Sequence, residues 1–434
     1  MKKHLSLFVF FGLLSKAIFA VPEFYSLSKS IRSLGMGGAF YGLSDDEYAL
    51  FYNPAGLSLR RSGTEVMLRV NGNVSSNAIS GFNDFKDLGS LNINQAINRL
   101  EKHKNKPMFG NAGLLPYFVT RNLAVGVLLA DTKLNFNISK GVSEIGSLAD
   151  LQTEVADLTF VSDSGLVIGY AQSLFDSNLH FGANLKGLLR AGGRKAFTAL
   201  QFNNNADIDL EPDKIGGTGI GIDLDLGATY EFKTLPFGIL SRASLTFNNL
   251  LATDFSIAKQ YQGAPKLVRT ANIGWYTVFS GVSVIDNFQV LADISDISLG
   301  GENRIDFGAR TGNLLKKLHL GLEMPMGRFS VRAGLNQGYL SAGLGMNFYA
   351  LRLDLATYGE ETGETTRRES RRYLATVALG WGSAPAPIKS KVESEKAIVP
   401  IKPVGDEIPT KKLNQKSDTP SQGEPQDSKN RDEL

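Results

Sequence analysis

The chain has 434 residues, of which 42% are hydrophobic and 21% charged, and it contains no cysteine. That length suits either two or three soluble domains or one large β-barrel, and the missing cysteine excludes disulfide staples, thiolate metal sites and the lipidated cysteine of a lipoprotein. A formal net charge of +3, with the charges interspersed, excludes the basic stripe of a nucleic-acid binder, so no nucleic-acid partner is expected.

Residues 1–20 read as a signal peptide. Lys2 and Lys3 form a positive start, Leu5 to Leu14 an apolar run, and Ala17 to Ala20 a small-residue cleavage site. Ser15 and Lys16 interrupt the run before it reaches the roughly 20 residues of a membrane anchor. No later stretch offers a transmembrane helix, so the exported chain is either soluble or a barrel.

Residues 21–63 form a separate N-terminal unit around LGMGGAFYGLSDDEYALFYNPAGL, Leu34 to Leu57. A dinucleotide fingerprint fails here, because Phe40 stands where the third glycine belongs and no apolar strand precedes it. Ser44 and Glu47 have the spacing of a capping box, and Asp45 and Asp46 suit the positive end of a helix dipole. The segment therefore predicts a flexible glycine-rich run through Gly35, Gly37 and Gly38 and then two turns of helix. Asn53-Pro54 stops that helix, and the first strand begins near Glu65.

Residues 64–382 carry a two-residue period. In Ile220–Phe232 every second residue is apolar while its neighbours are glycine or polar, and the pattern recurs in Leu179–Lys186, Phe237–Phe247, Leu318–Met324, Phe329–Leu335, Ala342–Phe348, Leu351–Leu355 and Tyr373–Trp381. Dyads this long, with glycine and charge on the opposite face, are the mark of an outer-membrane barrel rather than a soluble sandwich.

The links alternate between short and long, as periplasmic turns and outer loops do when both termini face the periplasm. Short links are expected at Arg121-Asn122, Phe175–Asn178, Lys233–Pro236, Gly281–Asn287, Pro325–Arg328 and Tyr349-Ala350. Long links are expected at Asn71–Gly110, Ile138–Asp163, Ala191–Gly217, Leu250–Pro265, Asp296–Lys316 and Tyr358–Arg372. The expected fold is all-β: a transmembrane antiparallel barrel of about 14 strands localised to the bacterial outer membrane, with outer-membrane lipid and lipopolysaccharide as surroundings.

Aromatics gather beside the short turns at Phe175, Phe232, Phe237, Phe329, Phe348 and Tyr349, as a headgroup girdle requires. The last strand puts Tyr373, Ala375, Val377, Leu379 and Trp381 on one face and ends on an aromatic. This resembles the C-terminal signal read by the barrel-assembly machinery, which is an expected partner.

GMGGAFYGLSDD followed by ALFYNPAGL resembles the N-terminal hatch of the FadL-type superfamily of outer-membrane barrels. That superfamily includes long-chain fatty acid and aromatic hydrocarbon transporters and PorV-type secretion barrels. RAGLNQGYLSAGLGMNF, LATYGEE and RRYLATVALGWG are similar to a conjugal-transfer-like branch. The resemblance implies a hatch that plugs the lumen, with Gly35, Gly37, Gly38, Asn53, Pro54, Ala55 and Gly56 as hatch and gate residues and a small hydrophobic ligand as cargo. A PorV-like binding or structural role in secretion or surface assembly is the alternative it leaves open.

Candidate chemistry is sparse. His180, Lys186, Asp223, Asp225, Glu231, Arg242, His319, Glu323 and Arg332 fall on the lumen face, where a water-filled barrel carries polar groups in any case. No arrangement fixes a nucleophile beside His180 or His319, so no catalytic residue and no cofactor are expected. Asp207, Asp209, Glu211 and Asp213 copy the start of a calcium loop, but Pro212 replaces the required glycine, and no metal site is expected.

Glu360, Glu361, Glu364, Arg367, Arg368, Arg371 and Arg372 read as a charged outer hairpin. The arginines could grip lipopolysaccharide phosphates or simply pair with the glutamates. Asn92–Lys104, which includes His103, reads as an amphipathic helix over the outer mouth. Residues 383–434, rich in Pro, Ser, Lys and Glu, read as a disordered periplasmic tail, either an inert spacer or a tether to a periplasmic partner. The terminal Arg431-Asp-Glu-Leu434 has no receptor to meet in such a setting.

Overall fold

The computed structural model describes residues 24, 26–61, 63–85, 101–139, 153–174, 178–198, 216–232, 240–255, 266–280, 284–299, 317–348, 350–362 and 367–382. The signal peptide, the acidic stretch at 203–213, most of the helix expected at 92–104, Glu364 and the tail lie outside these residues.

The alternating segments form a closed antiparallel barrel. Its strands are β1 (Glu65–Ser75), β2 (Met108–Val119), β3 (Leu123–Ile138), β4 (Glu154–Leu174), β5 (Leu179–Thr198), β6 (Gly216–Phe232) and β7 (Leu240–Asn248). They continue as β8 (Thr270–Ser280), β9 (Asn287–Ser298), β10 (Leu318–Met326), β11 (Phe329–Asn336), β12 (Tyr339–Phe348), β13 (Leu351–Glu361) and β14 (Glu369–Gly382). Each strand pairs with its sequence neighbours, and β1 closes the ring against β14 from Glu65↔Gly382 to Ser75↔Arg372. Closure removes every sheet edge, the condition for strands to cross lipid.

The outward positions are apolar and bare. Ile220, Ile222, Leu185, Leu344 and Leu379 are each exposed, whereas the alternate residues are buried. A greasy exterior around a polar interior places this barrel in the outer membrane. At the short-turn end, here called the periplasmic end, Phe232 packs on Tyr230 at 4.8 Å, and Phe329 meets Phe348 at 6.4 Å. Tyr373, Val377, Leu379 and Trp381 all face outward on β14.

Several outer links are shorter than the sequence suggests. β4 already begins at Glu154, β5 runs on to Thr198, β6 starts at Gly216 and β13 reaches Glu361. The ladder from Leu174↔Leu179 to Glu154↔Thr198 continues past the apolar stretch. Beyond the lipid the outward side chains have no need to be apolar, so the alternation lapses while the backbone pairing persists.

β3 contains a bulge between Leu128 and Asp131, with Ala130 in the left-handed region at φ 49°. The extra residue resets the period. Ala124 and Leu128 point inward before the bulge, Asp131 and Lys133 after it.

Residues 24–61 lie against the inner wall. Helix α1 (Ile31–Gly35) is capped by Ser30, whose side chain accepts from the Ser33 amide, and it packs on β11, β12, β13 and β14. Two 3-10 turns follow, Glu47–Leu50 against β2, β3 and β4, and Pro54–Leu59 against β4, β5 and β6. Gly37 and Gly38 take positive φ between them, so the glycine-rich run is a buried tight turn rather than a flexible stretch.

The expected capping box is replaced by a different cap. Asp46, not Ser44, accepts from the Tyr48 amide, at 2.9 Å, and Ser44 donates its hydroxyl to the Phe40 carbonyl. Glu47 is drawn into an ion pair with Arg69, so the local cap yields to a charge on the wall. Helix α2 (Ser76–Phe85) follows β1 at the outer rim, against β2 and β14.

Candidate functional site

The wall makes room for the N-terminal segment with glycine. The backbone at Gly35 meets Gly343 of β12, where a side chain on either would press on the other's Cα at about 3 Å. Met36 crosses Gly321 of β10, Gly37 crosses Gly334 of β11, and Tyr41 and Gly42 cross Gly274 of β8. Pro54 and Ala55 sit on Gly182 of β5, while Gly227 of β6 receives the side chains of Asn53 and Pro54 rather than backbone. Such backbone-to-backbone approach is open only to residues without a Cβ.

Asn53 occupies the centre of one contact. Its side-chain oxygen accepts from the Ala55 amide at 3.1 Å, and its amide group donates to the Tyr41 carbonyl and to Thr229 Oγ1, each at 2.9 Å. Pro54, with its fixed φ, starts the 3-10 turn that Asn53 caps. Gly56 is pressed on the Ser44 carbonyl, so any side chain there would collide with backbone. Asn53-Pro54 therefore ends nothing; it starts the second turn.

Charge fixes the segment on the opposite wall. Arg32 holds Glu323 of β10 with Nη2 at 2.6 Å and reaches Asp45 and Asp46 of its own segment with Nη1 at 2.8 and 3.2 Å. Glu323 also accepts from Arg332 of β11 at 2.8 Å, Arg332 pairs with Asp354 of β13 at 2.6 Å, and Asp354 lies 3.8 Å from Arg69 of β1. Arg69 returns the chain of charges to the segment through Glu47. Beside it, Glu65 takes both Arg60 at 2.5 Å and Arg352 at 2.7 Å.

Burial opposes the charge on Arg32, but Glu323 and Asp45 outweigh it and hold the guanidinium well above its ordinary pKa. Asp46 goes the other way. Burial and then Glu47 push its carboxyl up to about 7 against the pull of Arg32.

The remaining lumen-facing residues named from the sequence are also engaged, and the interior around them is packed rather than lined for water. His319 Nδ1 lies 2.8 Å from the Gly37 carbonyl. His180 Nδ1 lies 2.8 Å from Ser58 Oγ and 2.9 Å from Ser173 Oγ. Glu231 and Arg242 pair at 3.1 Å. Lys186, Asp223 and Asp225 hold residues 249–255, which fold inward after β7.

The outer hairpin is likewise less solvated than its charge suggests. Glu360, Glu361 and Arg372 are buried, with Arg372 4.2 Å over the ring of Phe109. Arg367 stacks on Tyr339 at 4.7 Å, which favours internal pairing over lipopolysaccharide phosphates for that residue. Ring stacking and mutual neutralisation account for charges that sequence alone assigns to solvent.

In the outer half of the lumen the segment forms one side of a small cleft of about 30 Å³ that opens in part to solvent. Leu27, Ile31 and Leu34 face Phe109, Tyr358 and Leu374, with Lys29, Asn71, Asn111 and Lys133 among the polar lining. Its mixed lining is of the kind small-molecule sites have, and at its present volume it admits little more than water until the segment moves. Lys133 Nζ donates to the Ser26 carbonyl at 2.5 Å, tying the start of the segment beside the pocket.

Arg69, Asp354, Arg352 and Lys133 were not singled out from the sequence. The first three stand at inward positions of dyads, which is the signal that would have found them. Lys133 was hidden by the bulge.

No protein-family model and no curated protein matches the chain. Among solved structures it is similar to a monoaromatic hydrocarbon channel, CymD, at 13% identity and a TM-score of 0.46, over 83% of this chain and 98% of that one. The toluene transporter TbuX of Ralstonia pickettii matches at 11% and 0.46, over 84% and 100%. A Pseudomonas aeruginosa FadL homologue matches at 10% and 0.40, over 83% and 99%.

Proposed function

We propose that the barrel passes a small hydrophobic compound across the outer membrane, with the N-terminal segment as its gate. The observation that carries this reading is the outer pocket, one side of which is the segment itself. A solute entering from outside meets Leu27, Ile31, Phe109 and Leu374, and burial of apolar surface there is favourable. Below the pocket the same segment is bound to β10 through Arg32 and to β6 through Asn53. Passage then requires the segment to shift, and a ligand that binds better to the shifted state drives that shift by mass action.

The reading accounts for the chemistry of the contact. Ion pairs and hydrogen bonds re-form after displacement, and at Gly35, Gly37 and Gly42 the segment meets the wall backbone to backbone, without side chains between. The structures of hydrocarbon channels and toluene transporters to which the barrel is similar carry hydrophobic cargo, in keeping with this assignment.

The test is to purify the full chain from outer membranes in mild detergent and to identify what accompanies it by mass spectrometry. An apolar compound at stoichiometric level, lost when Asn53→Ala loosens the segment, is the expected result. A stoichiometric protein with no apolar compound would overturn the reading in favour of a secretion or surface-assembly role.

A further inference from the structure

Residues Asn249–Phe255 are the other part of the lumen that the dyad pattern does not explain. β7 stops at Asn248, opposite the middle of β6, and the chain leaves the sheet there, with Asn249 and Ala252 at positive φ. It then runs along the inner face of β6 toward its outer end. The Leu250 amide donates to the Leu224 carbonyl at 2.9 Å, and Thr253 Oγ1 donates to the Ile222 carbonyl.

Two carboxylates of β6 hold it there. Asp225 accepts from the Asn249 amide at 2.8 Å and from Lys186 at 2.6 Å, while Lys186 also donates to Asn249 Oδ1 at 2.6 Å. Asp223 accepts from the Leu251 amide at 3.1 Å and from the Thr253 amide at 3.3 Å, and the Thr253 hydroxyl, its one proton shared with the Ile222 carbonyl, lies 2.9 Å from it. Asp223, Asp225 and Lys186 are almost wholly buried by this contact.

The seat is shaped as well as charged. Gly219 and Gly221 leave the space that Phe255 and Thr253 fill, and the Phe255 ring lies 5.1 Å under Arg190, itself locked to Asp163 at 2.6 and 2.9 Å. Phe255 is 1% exposed. A loop that merely connected two strands at the surface would have neither buried carboxylates nor missing side chains made for it.

We infer that Asn249–Phe255 is a second barrier inside the barrel, an internal strap that closes the β5–β7 side of the outer lumen independently of the N-terminal segment. It takes solute permeability on that side, and hence the size of what can pass, out of the hands of the N-terminal segment alone. Asp223 and Thr253 are its positioning residues, because they hold the strap and face no solute themselves. The inference rests on the barrel being a conduit, but its test is a conductance to ions, which needs no hydrophobic cargo.

The full-length barrel with Asp223→Ala and Thr253→Ala together is reconstituted in planar bilayers, with hydrogen exchange followed on the strap amides. Losing the charge-assisted bonds to one carboxylate is expected to raise the strap's open population at least about tenfold. It should appear both as faster exchange at residues 249–255 and as channel openings rare in the parent protein.

Because the chain has no cysteine, Gly221→Cys with Thr253→Cys supplies a second variant, the added Cβ at 221 falling where the Thr253 methyl group sits, a group that Thr253→Cys removes. Its openings should disappear on oxidation and return on reduction. A released strap, with fast exchange but unchanged conductance, would overturn the inference, as would equal conductance of the oxidised and reduced cysteine pair. Should the strap behave as expected while no hydrophobic compound is taken up, the second barrier stands and the transport reading falls.

Discussion

Replacing Arg32 by methionine removes a cation that joins the N-terminal segment to β10. Arg32 bonds Glu323 through two nitrogens and Asp45 and Asp46 through a third, with 20% of its side chain exposed. Breaking one partner of a buried pair costs about 3 kcal/mol at the lower end of the usual range, which is where its partial exposure places it. Glu323 keeps Arg332 at 2.8 Å, so the wall is little disturbed and the cost falls on the docked segment. At 1.4 kcal/mol per decade, the undocked population rises about a hundredfold. Hydrogen exchange on the full barrel reads this directly. Amides of residues 31–52 should lose about two decades of protection while those of β1 to β14 keep theirs. Unchanged protection in residues 31–52 would refute the ion-pair circuit as the fastening, and equal loss in the strands would show that Arg32 serves the barrel and not the segment.

Other outcomes follow from the same contacts. Asp46 has a folded pKa raised to about 7 from 3.8, so the native state binds its proton more tightly than the unfolded chain does. Its contribution is therefore complete below pH 4 and lost as pH rises through 7. Protection at Glu47–Leu50, taken relative to the intrinsic exchange rate at each pH, should fall over that window in the parent and stay flat in Asp46→Asn, which keeps the cap; a midpoint near 4 would contradict this. Asn53→Ala removes a cap and two buried hydrogen bonds, about 2 to 4 kcal/mol, and should expose the segment to limited proteolysis while the barrel resists heat in detergent. Gly334→Ala drives a methyl group into the Gly37 backbone and should raise leakage of hydrophobic antibiotics into cells with barrel levels unchanged; unaltered sensitivity would show that the contact yields.

The barrel was legible because lipid imposes the simplest of patterns. Ile220–Phe232 needs apolar groups outward at every second position, and only a strand of a closed sheet satisfies both that period and its backbone. Legibility ended where lipid does. The outer ends of β4 and β5 are held by ladder bonds that leave no mark on side-chain alternation, so Ile138–Asp163 read as a longer loop than it is. The start of the chain was recognised by resemblance, but its internal structure was not. Ser44 and Glu47 fit a local capping rule, and Arg69, on β1 beyond the segment, took Glu47 instead. Asp223 and Asp225 looked like ordinary lumen carboxylates because nothing near them in sequence indicates that residues 249–255 return to sit on them. Local rules fail at such positions since the deciding partner is set by closure of the whole ring.

The most direct test of the gate is to fasten it. Gly35→Cys with Ala356→Cys puts two Cβ positions about 3.6 Å apart across the segment and β13, within the span of a disulfide, in a chain otherwise free of cysteine. Uptake of a fluorescent hydrophobic probe is then followed in proteoliposomes holding this variant, oxidised and reduced. The account predicts that the reduced variant, whose new side chain presses on Gly343, takes up probe at or above the parent rate, and that the oxidised variant falls to the protein-free rate. Equal uptake in both states would mean that hydrophobic compounds pass without moving the N-terminal segment, and the gate would have to be sought elsewhere in the barrel.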